Sequence, residues 1–271
     1  MQFHLPVLLS FVFCLVTANG VVGQTSRELL NDVTLEPPIG DKIVLDGVFR
    51  NHHGQYTTLR KTMQDKPAVL CLVYFECPML CKLAADGLVR SLAEVKANAG
   101  TDFQVILVSF NPRDTPEKAK ASLEQLVRRY ARPGTEQGWH CLTGSEPSIE
   151  ALTSSLGYHY VWDEETKQFA HPAGVFLLSP QGVITDCLNG VEFPEVKLTA
   201  AIESARLGTV AEVSDVGGPT SFLRCYVYDP TTGKFGAAVQ WTVRVLGIAT
   251  VLALAFGVAI LIRRDKMARD V

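Results

Sequence analysis

Two cysteines, Cys77 and Cys81, lie where an apolar segment gives way to an amphipathic one. The run 68–75 is typical of a buried strand, and the run 83–95 is typical of a helix. Because the cysteines are four residues apart, both thiols can lie on one face of that helix start. A helix N-terminus favours the thiolate, which binds metals and attacks disulfides. The pair is therefore a candidate soft-metal site, a redox couple or both, and the alternative is two structural core cysteines.

His171 is a third candidate, because it stands just ahead of the apolar strand 175–178. We expect the loop before that strand to lie against the helix that carries the cysteines. Two thiolates and one imidazole form a soft set of low coordination number that selects Cu(I), whereas Zn usually needs a fourth ligand. An added ligand would let the same set accept Cu(II). The alternative for a lone histidine is a solvated or core residue.

The elements around these residues predict an α/β fold, a thioredoxin-like mixed sheet flanked by helices. Continuous apolar runs are typical of central strands that are covered on both faces, and Pro180-Gln181 predicts a hairpin. The predicted strands are 42–49, 68–75, 103–110, 158–162, 174–179 and 182–187. The predicted helices are 83–95, 116–132, 145–157 and 194–207, the second with Thr115 as its N-cap and Pro116 at its first position.

Each end of the chain contains an apolar segment. Residues 5–16 are apolar and small residues follow, which predicts a secretory signal peptide. Residues 245–262 contain no charge and precede Arg263 and Arg264, which predicts a C-terminal transmembrane helix with a cytoplasmic basic flank. The predicted organisation is a signal peptide (1–23), a leader (24–41), a thioredoxin-like domain (42–207), a linker (208–240), a transmembrane helix (241–263) and a cytoplasmic tail (264–271). The soluble domain is expected on the periplasmic or extracytoplasmic side of the membrane.

The composition excludes two classes of protein. The 271 residues carry a net charge of −3 with no basic block in the middle of the chain, so nucleic acid is not an expected partner. The seven cysteines are odd in number and show no regular framework, which excludes a small disulfide-stapled domain.

Four segments, in order, resemble the Sco/SenC family over about residues 38–207. They are Cys77-Pro78-Met79-Leu80-Cys81, Asp114-Thr115-Pro116-Glu117, a turn at Trp139 to Gly144, and His171 ahead of its strand. Family members are membrane-anchored copper chaperones with a thioredoxin fold that help assemble the binuclear Cu(A) centre of cytochrome c oxidase. The resemblance implies that Cys77, Cys81 and His171 are copper ligands and that the copper-bearing oxidase subunit is the partner. The chain departs from the family pattern at Met79, Lys82 and Ala170, and its anchor is C-terminal.

Two other activities stay open. In a membrane-anchored thiol–disulfide oxidoreductase acting on a metalloprotein's cysteines, Cys77 and Cys81 would be the catalytic redox pair and a thiol reductase would be a further partner. Cysteines four apart on a helix have Cα atoms about 6 Å apart, within disulfide range, although general reductases usually have two intervening residues. A peroxidase-like relative would need an activating arginine, for which Arg113 is the candidate. Cys225, in the linker, is a candidate for copper transfer or disulfide exchange with the pair.

Overall fold

The computed structural model describes residues 32–77, 80–164 and 166–210, and then 228–229, 234–235 and a helix over 237–269. In that last helix, side chains are described from Arg244 to Ile260. The predicted signal peptide, most of the predicted linker with Cys225, the side chains of the predicted tail, and Met79 lie outside the described residues. What the sequence predicts for them stays a prediction.

Strands and helices alternate through the domain. The strands are β1 (Phe49–Arg50), β2 (Tyr56–Thr57), β3 (Ala68–Val73), β4 (Gln104–Ser109), β5 (Trp139–Gly144), β6 (Val161–Asp163), β7 (Gln168–Ala170), β8 (Gly174–Leu178), β9 (Ile184–Asn189), β10 (Tyr228–Asp229) and β11 (Lys234–Phe235). The helices are α1 (Leu59–Met63), α2 (Leu80–Glu94), α3 (Pro116–Tyr130), α4 (Glu146–Ser155), α5 (Glu195–Leu207) and α6 (Ala237–Arg269), with a 3-10 turn at Glu136–Gly138.

A seven-stranded mixed sheet in the order β2-β1-β5-β4-β3-β8-β9 forms the centre of the domain. β3, β4 and β5 run parallel, joined by α2 and α3, whereas β8 pairs antiparallel with β3 and β9 pairs antiparallel with β8. Every residue of β3 and β4 is buried, as expected for strands covered on both faces. The predicted thioredoxin-like mixed sheet and its closing hairpin are confirmed.

Two local predictions were wrong. The segment from Trp139 to Gly144, expected as a turn, is the strand β5, parallel to β4. His140 and Thr143 interrupt its apolar pattern, but the partly buried imidazole bonds to Gln104, so the strand tolerates it. The segment 42–49, expected as a strand, makes an isolated bridge at Lys42 and reaches regular pairing only at β1.

Residues 33–36, ahead of β1, form a strap that lies against the domain. Val33 is fully buried, and Leu35 pairs with Tyr158 in an isolated antiparallel bridge. The amide of Glu36 donates to the carbonyl oxygen of Gly157 at 2.8 Å, and the amide of His159 donates to that of Thr34 at 2.9 Å. The backbone around Tyr158 is therefore held from both sides. Tyr158 itself precedes β6, which begins later than predicted.

The helix that carries the second cysteine is tied down along its length. The side chain of Arg132, just beyond α3, donates to the carbonyl oxygens of Ala93 and Val95 at the end of α2, at 2.8 and 2.5 Å. An ion pair joins Asp86 of α2 to Arg129 of α3. These contacts hold α2 against α3 at two places, the Asp86 side chain in its middle and the carbonyl groups at its C-terminal end.

The C-terminal helix α6 covers the segment for which a membrane-spanning helix is expected. Within the described part of the chain, no helix has both the length and the apolar character needed to cross a bilayer. The transmembrane helix over 241–263 is thus not confirmed and stays a prediction.

Candidate metal centre

The two cysteines follow the carboxyl end of the central strand β3. The amide of Cys77 donates to the carbonyl oxygen of Tyr74 at 3.2 Å, which closes a tight turn after the strand. Helix α2 begins at Leu80, so Cys81 lies in its first turn. The amide of Cys81 donates to Sγ of Cys77 at 3.4 Å. Cys81 is buried and Cys77 is half-buried, so Cys77 is the more accessible of the two residues.

A buried carboxylate, Asp114, holds the turn that presents Cys77. Its Oδ2 accepts hydrogen bonds from the amide of Phe75 at 2.8 Å and from Oγ of Ser109 at 2.6 Å. Lys118 lies 3.6 Å from its Oδ1 and 2.7 Å from Glu76, so one ammonium group bridges the two carboxylates. The sequence placed Asp114 only at a helix start, and Thr115 and Pro116 do occupy the N-cap and first helical position. The hydrogen bonds to the turn became visible only in the structure.

His171 reaches the cysteines from the segment just ahead of β8, the strand that pairs antiparallel with β3. It lies between β7 and β8, is 2% exposed, and its Nε2 is 3.0 Å from Sγ of Cys81. The ligand atoms of Cys77, Cys81 and His171 all lie within 4.8 Å of one another. The structure thus brings together the three residues that the sequence singled out. Within the described part of the chain, no other group of three or more His, Cys, Asp or Glu residues has comparable geometry.

The other ring nitrogen of His171 has its own partners. Nδ1 lies 2.7 Å from the carbonyl oxygen of Pro172 and 2.9 Å from the hydroxyl oxygen of Tyr158. The hydroxyl group of Tyr158 also donates to the Pro172 carbonyl oxygen at 2.9 Å. Sequence reasoning treated Tyr158 only as part of a strand and missed this role. A tyrosine thirteen positions before a histidine carries no local signal, because the contact depends on the tertiary fold.

Aromatic rings enclose the imidazole. Its centroid lies 5.1 Å from that of Phe110 and 5.9 Å from that of Tyr74. This packing restricts ring rotation and excludes water from that side. The peroxidase-like alternative gains no support from Arg113, because its guanidinium stacks on Trp162 at 4.4 Å and bonds to Asn111.

The remaining described thiols have a different environment. Burial raises the pKa of the Cys71 thiol to about 12 and also raises the pKa values of the Cys141 and Cys187 thiols. All three of these cysteines are buried in the core of the domain. None of these three thiols belongs to the cluster that could hold a metal.

The donor set at this site fits a soft monovalent cation. Two sulfurs and one imidazole nitrogen within a few ångströms are the ligands that Cu(I) prefers, and three donors are fewer than a structural zinc site uses. Cys77 is half-buried, whereas Cys81 and His171 are buried, so Cys77 is the most accessible residue of the set. The same two sulfurs, on one turn of chain, are also placed for reversible thiol chemistry.

One family model and several solved structures match this chain. A family model described as SCO1/SenC matches residues 41–206, more than half of the chain. A crystal structure from Aquifex aeolicus VF5, provisionally assigned as an electron transfer protein, has 25% sequence identity and a TM-score of 0.55, covering 63% of this chain and 95% of that one. An SCO1/SenC family lipoprotein from Bacillus anthracis strain Ames has 19% identity and a TM-score of 0.51, covering 64% and 99%.

The chain is also similar to Arabidopsis thaliana ScoI, solved with copper bound, at 20% identity and a TM-score of 0.49, covering 62% and 99% of the two chains. The likeness to the Bacillus anthracis protein shows the fold alone. Among curated protein sequences, none matches this chain.

Proposed function

Because the chain belongs to the SCO1/SenC family, we propose that it is a copper metallochaperone that serves assembly of the Cu(A) site of cytochrome c oxidase. The observation that carries the proposal is the convergence of Cys77, Cys81 and His171, whose ligand atoms lie within 4.8 Å of one another. Copper is the cargo, and the acceptor is the copper-bearing subunit of the oxidase.

The burial of the three residues supports a different task for each proposed ligand. Cys81 and His171 are buried and in contact with each other, so they form the fixed part of the site. Cys77 is half-buried and sits on the turn after β3, so we expect it to be the ligand that an incoming thiolate of the acceptor replaces first. Transfer is then a stepwise exchange of ligands, in which each bond to the chaperone is replaced by one to the acceptor.

An anaerobic Cu(I) titration of the reduced full-length protein tests the site. We expect one equivalent to bind, with sulfur and nitrogen neighbours of the metal in X-ray absorption spectra. Cys77→Ala and His171→Ala should each weaken binding, whereas Cys187→Ser, which changes a buried thiol outside the cluster, is the matched control. Unchanged affinity in a Cys77→Ala/Cys81→Ala double variant would refute the proposal.

A second function, a membrane-anchored thiol–disulfide oxidoreductase acting on the acceptor's cysteines, is favoured by the bond from the Cys81 amide to Sγ of Cys77. An N–H donor stabilises a thiolate. In such a reaction Cys77 and Cys81 would be oxidised to a disulfide while a disulfide of the oxidase subunit is reduced to two thiols. A thiol reductase would then restore the pair. Reduction of a Cu(A)-domain disulfide by the copper-free protein, lost in Cys77→Ala, would establish this activity.

We also propose that the domain is anchored on the extracytoplasmic side by the C-terminal segment. Support comes from the uncharged run 245–262 and its basic flank, and from the described side chains of α6, in which Leu246, Leu254 and Phe256 are 62, 66 and 70% exposed. Extraction of the cellular membrane fraction with alkaline carbonate should leave the protein in the pellet, and deletion from residue 241 should release it. Release of the full-length chain by carbonate would contradict the anchor.

A further inference from the structure

The hydrogen bonds behind His171 identify a residue that sets how the imidazole presents its lone pair. A carbonyl oxygen can only accept, so the 2.7 Å contact between Nδ1 and the Pro172 carbonyl oxygen is a hydrogen bond only when Nδ1 carries a proton. The Tyr158 hydroxyl donates its own proton to the same carbonyl oxygen. Its oxygen is therefore left to accept from Nδ1 at 2.9 Å.

All three contacts are satisfied together when Nδ1 is protonated, and in a neutral ring the lone pair is then on Nε2. That nitrogen is the one 3.0 Å from Sγ of Cys81. We propose that Tyr158 is a positioning residue for copper binding: through the Pro172 carbonyl group and Nδ1 it fixes the tautomer and orientation of His171, so that Nε2 faces the two sulfurs. Partners on the far nitrogen of a metal-binding histidine fix ring orientation and raise ligand basicity. The inference rests on the proposed function.

Tyr158 is itself held where this role requires. Tyr158 is 2% exposed, and its backbone forms the isolated bridge with Leu35 of the strap. The flanking bonds, from Glu36 to Gly157 and from His159 to Thr34, fix the main chain on both sides of it. The backbone bonds therefore hold the Tyr158 side chain in place. A Tyr158→Phe substitution removes only the hydroxyl oxygen and leaves the ring and its packing unchanged.

Tyr158→Phe in the full-length protein is the test, with Tyr160→Phe as matched control. Tyr160 is two residues away and packs its ring on Phe110 at 4.7 Å, so the control removes the same atom from the same aromatic cluster. We expect Tyr158→Phe to bind one equivalent of Cu(I) about tenfold more weakly than the wild type, and Tyr160→Phe to bind like the wild type.

A second measurement needs no copper. In the reduced, metal-free, ¹⁵N-histidine-labelled protein, the nitrogen spectrum of His171 should show a protonated Nδ1, and Tyr158→Phe should increase the fraction with an unprotonated Nδ1. An unprotonated Nδ1 in the wild type would overturn the inference. So would wild-type copper affinity in Tyr158→Phe, if His171→Ala has lost affinity. If the wild type does not bind Cu(I) but its Nδ1 is protonated, the proposed function is wrong, whereas the effect of Tyr158 on the tautomer and orientation of His171 is confirmed.

Discussion

Acid should destabilise this fold through His140, a histidine outside the candidate metal centre. Its side chain is largely enclosed on β5, and its Nε2 lies 3.0 Å from Oε1 of Gln104. Burial, with a smaller contribution from the nearby His52, lowers the pKa of His140 from the usual 6.5 to about 4. The folded protein therefore holds this imidazole neutral at pH values where an unfolded chain would protonate it.

The size of the effect follows from the two pKa values. Below about pH 6.5 the unfolded state binds a proton that the folded state does not, so stability is complete above that pH and is lost as the pH falls toward 4. The shift of about 2.5 pKa units corresponds to a loss of about 3 kcal/mol near pH 4 and of about 1.4 kcal/mol near pH 5.5. Either loss is a substantial part of a typical domain's stability.

Urea unfolding at about pH 7, 5.5 and 4.5, followed by fluorescence, would measure this loss. His140→Gln keeps a polar amide and has no imidazole to protonate. Between pH 7 and 5.5 the wild type should therefore lose about 1.2 kcal/mol more unfolding free energy than this variant loses. His159→Gln changes an exposed histidine and should follow the wild type. If His140→Gln loses as much stability with acid as the wild type does, the burial argument is wrong.

Three further predictions concern the thiols and the support of α2. Iodoacetamide should modify Cys77 of the reduced, metal-free protein well before the thiols whose pKa values burial raises, as read by peptide mass mapping. Those protected thiols are Cys71, Cys141 and Cys187. Arg132→Met should lower the free energy of unfolding by about 2 kcal/mol, because it removes charged donors to the last carbonyl groups of α2, whereas the exposed Arg128→Met should change it little. Gly87→Ala, normally favourable inside a helix, should destabilise by about 1–3 kcal/mol in denaturant titrations, because an added Cβ would lie 1.9 Å from the Val191 carbonyl oxygen.

The central part of the fold could be predicted from the sequence because its signals are local. The runs over β3 and β4 are apolar without interruption, and a strand with both faces covered produces that pattern. The helix start after Asp114 has a threonine N-cap followed by proline, which is also a local signal. The strand β5 was not predicted, because its partly buried His140 bonds to Gln104 of the neighbouring strand. That partner is 36 positions away, and hydrophobic periodicity does not reveal it.

In the candidate site, too, some residues could be predicted from the sequence and others could not. Cys77, Cys81 and His171 could be singled out because thiols and imidazole are chemically distinctive, and because their places at the ends of strands imply a common edge of the sheet. Asp114 and Tyr158 could not, since an aspartate and a tyrosine are ordinary residues until their partners are known. A pattern of residue types therefore identifies candidate ligands more readily than the residues that hold those candidate ligands in position. If Cys77, Cys81 and His171 hold copper as proposed, a relative that has these three residues but a different residue at the position of Tyr158 should bind copper with the same stoichiometry and a different affinity.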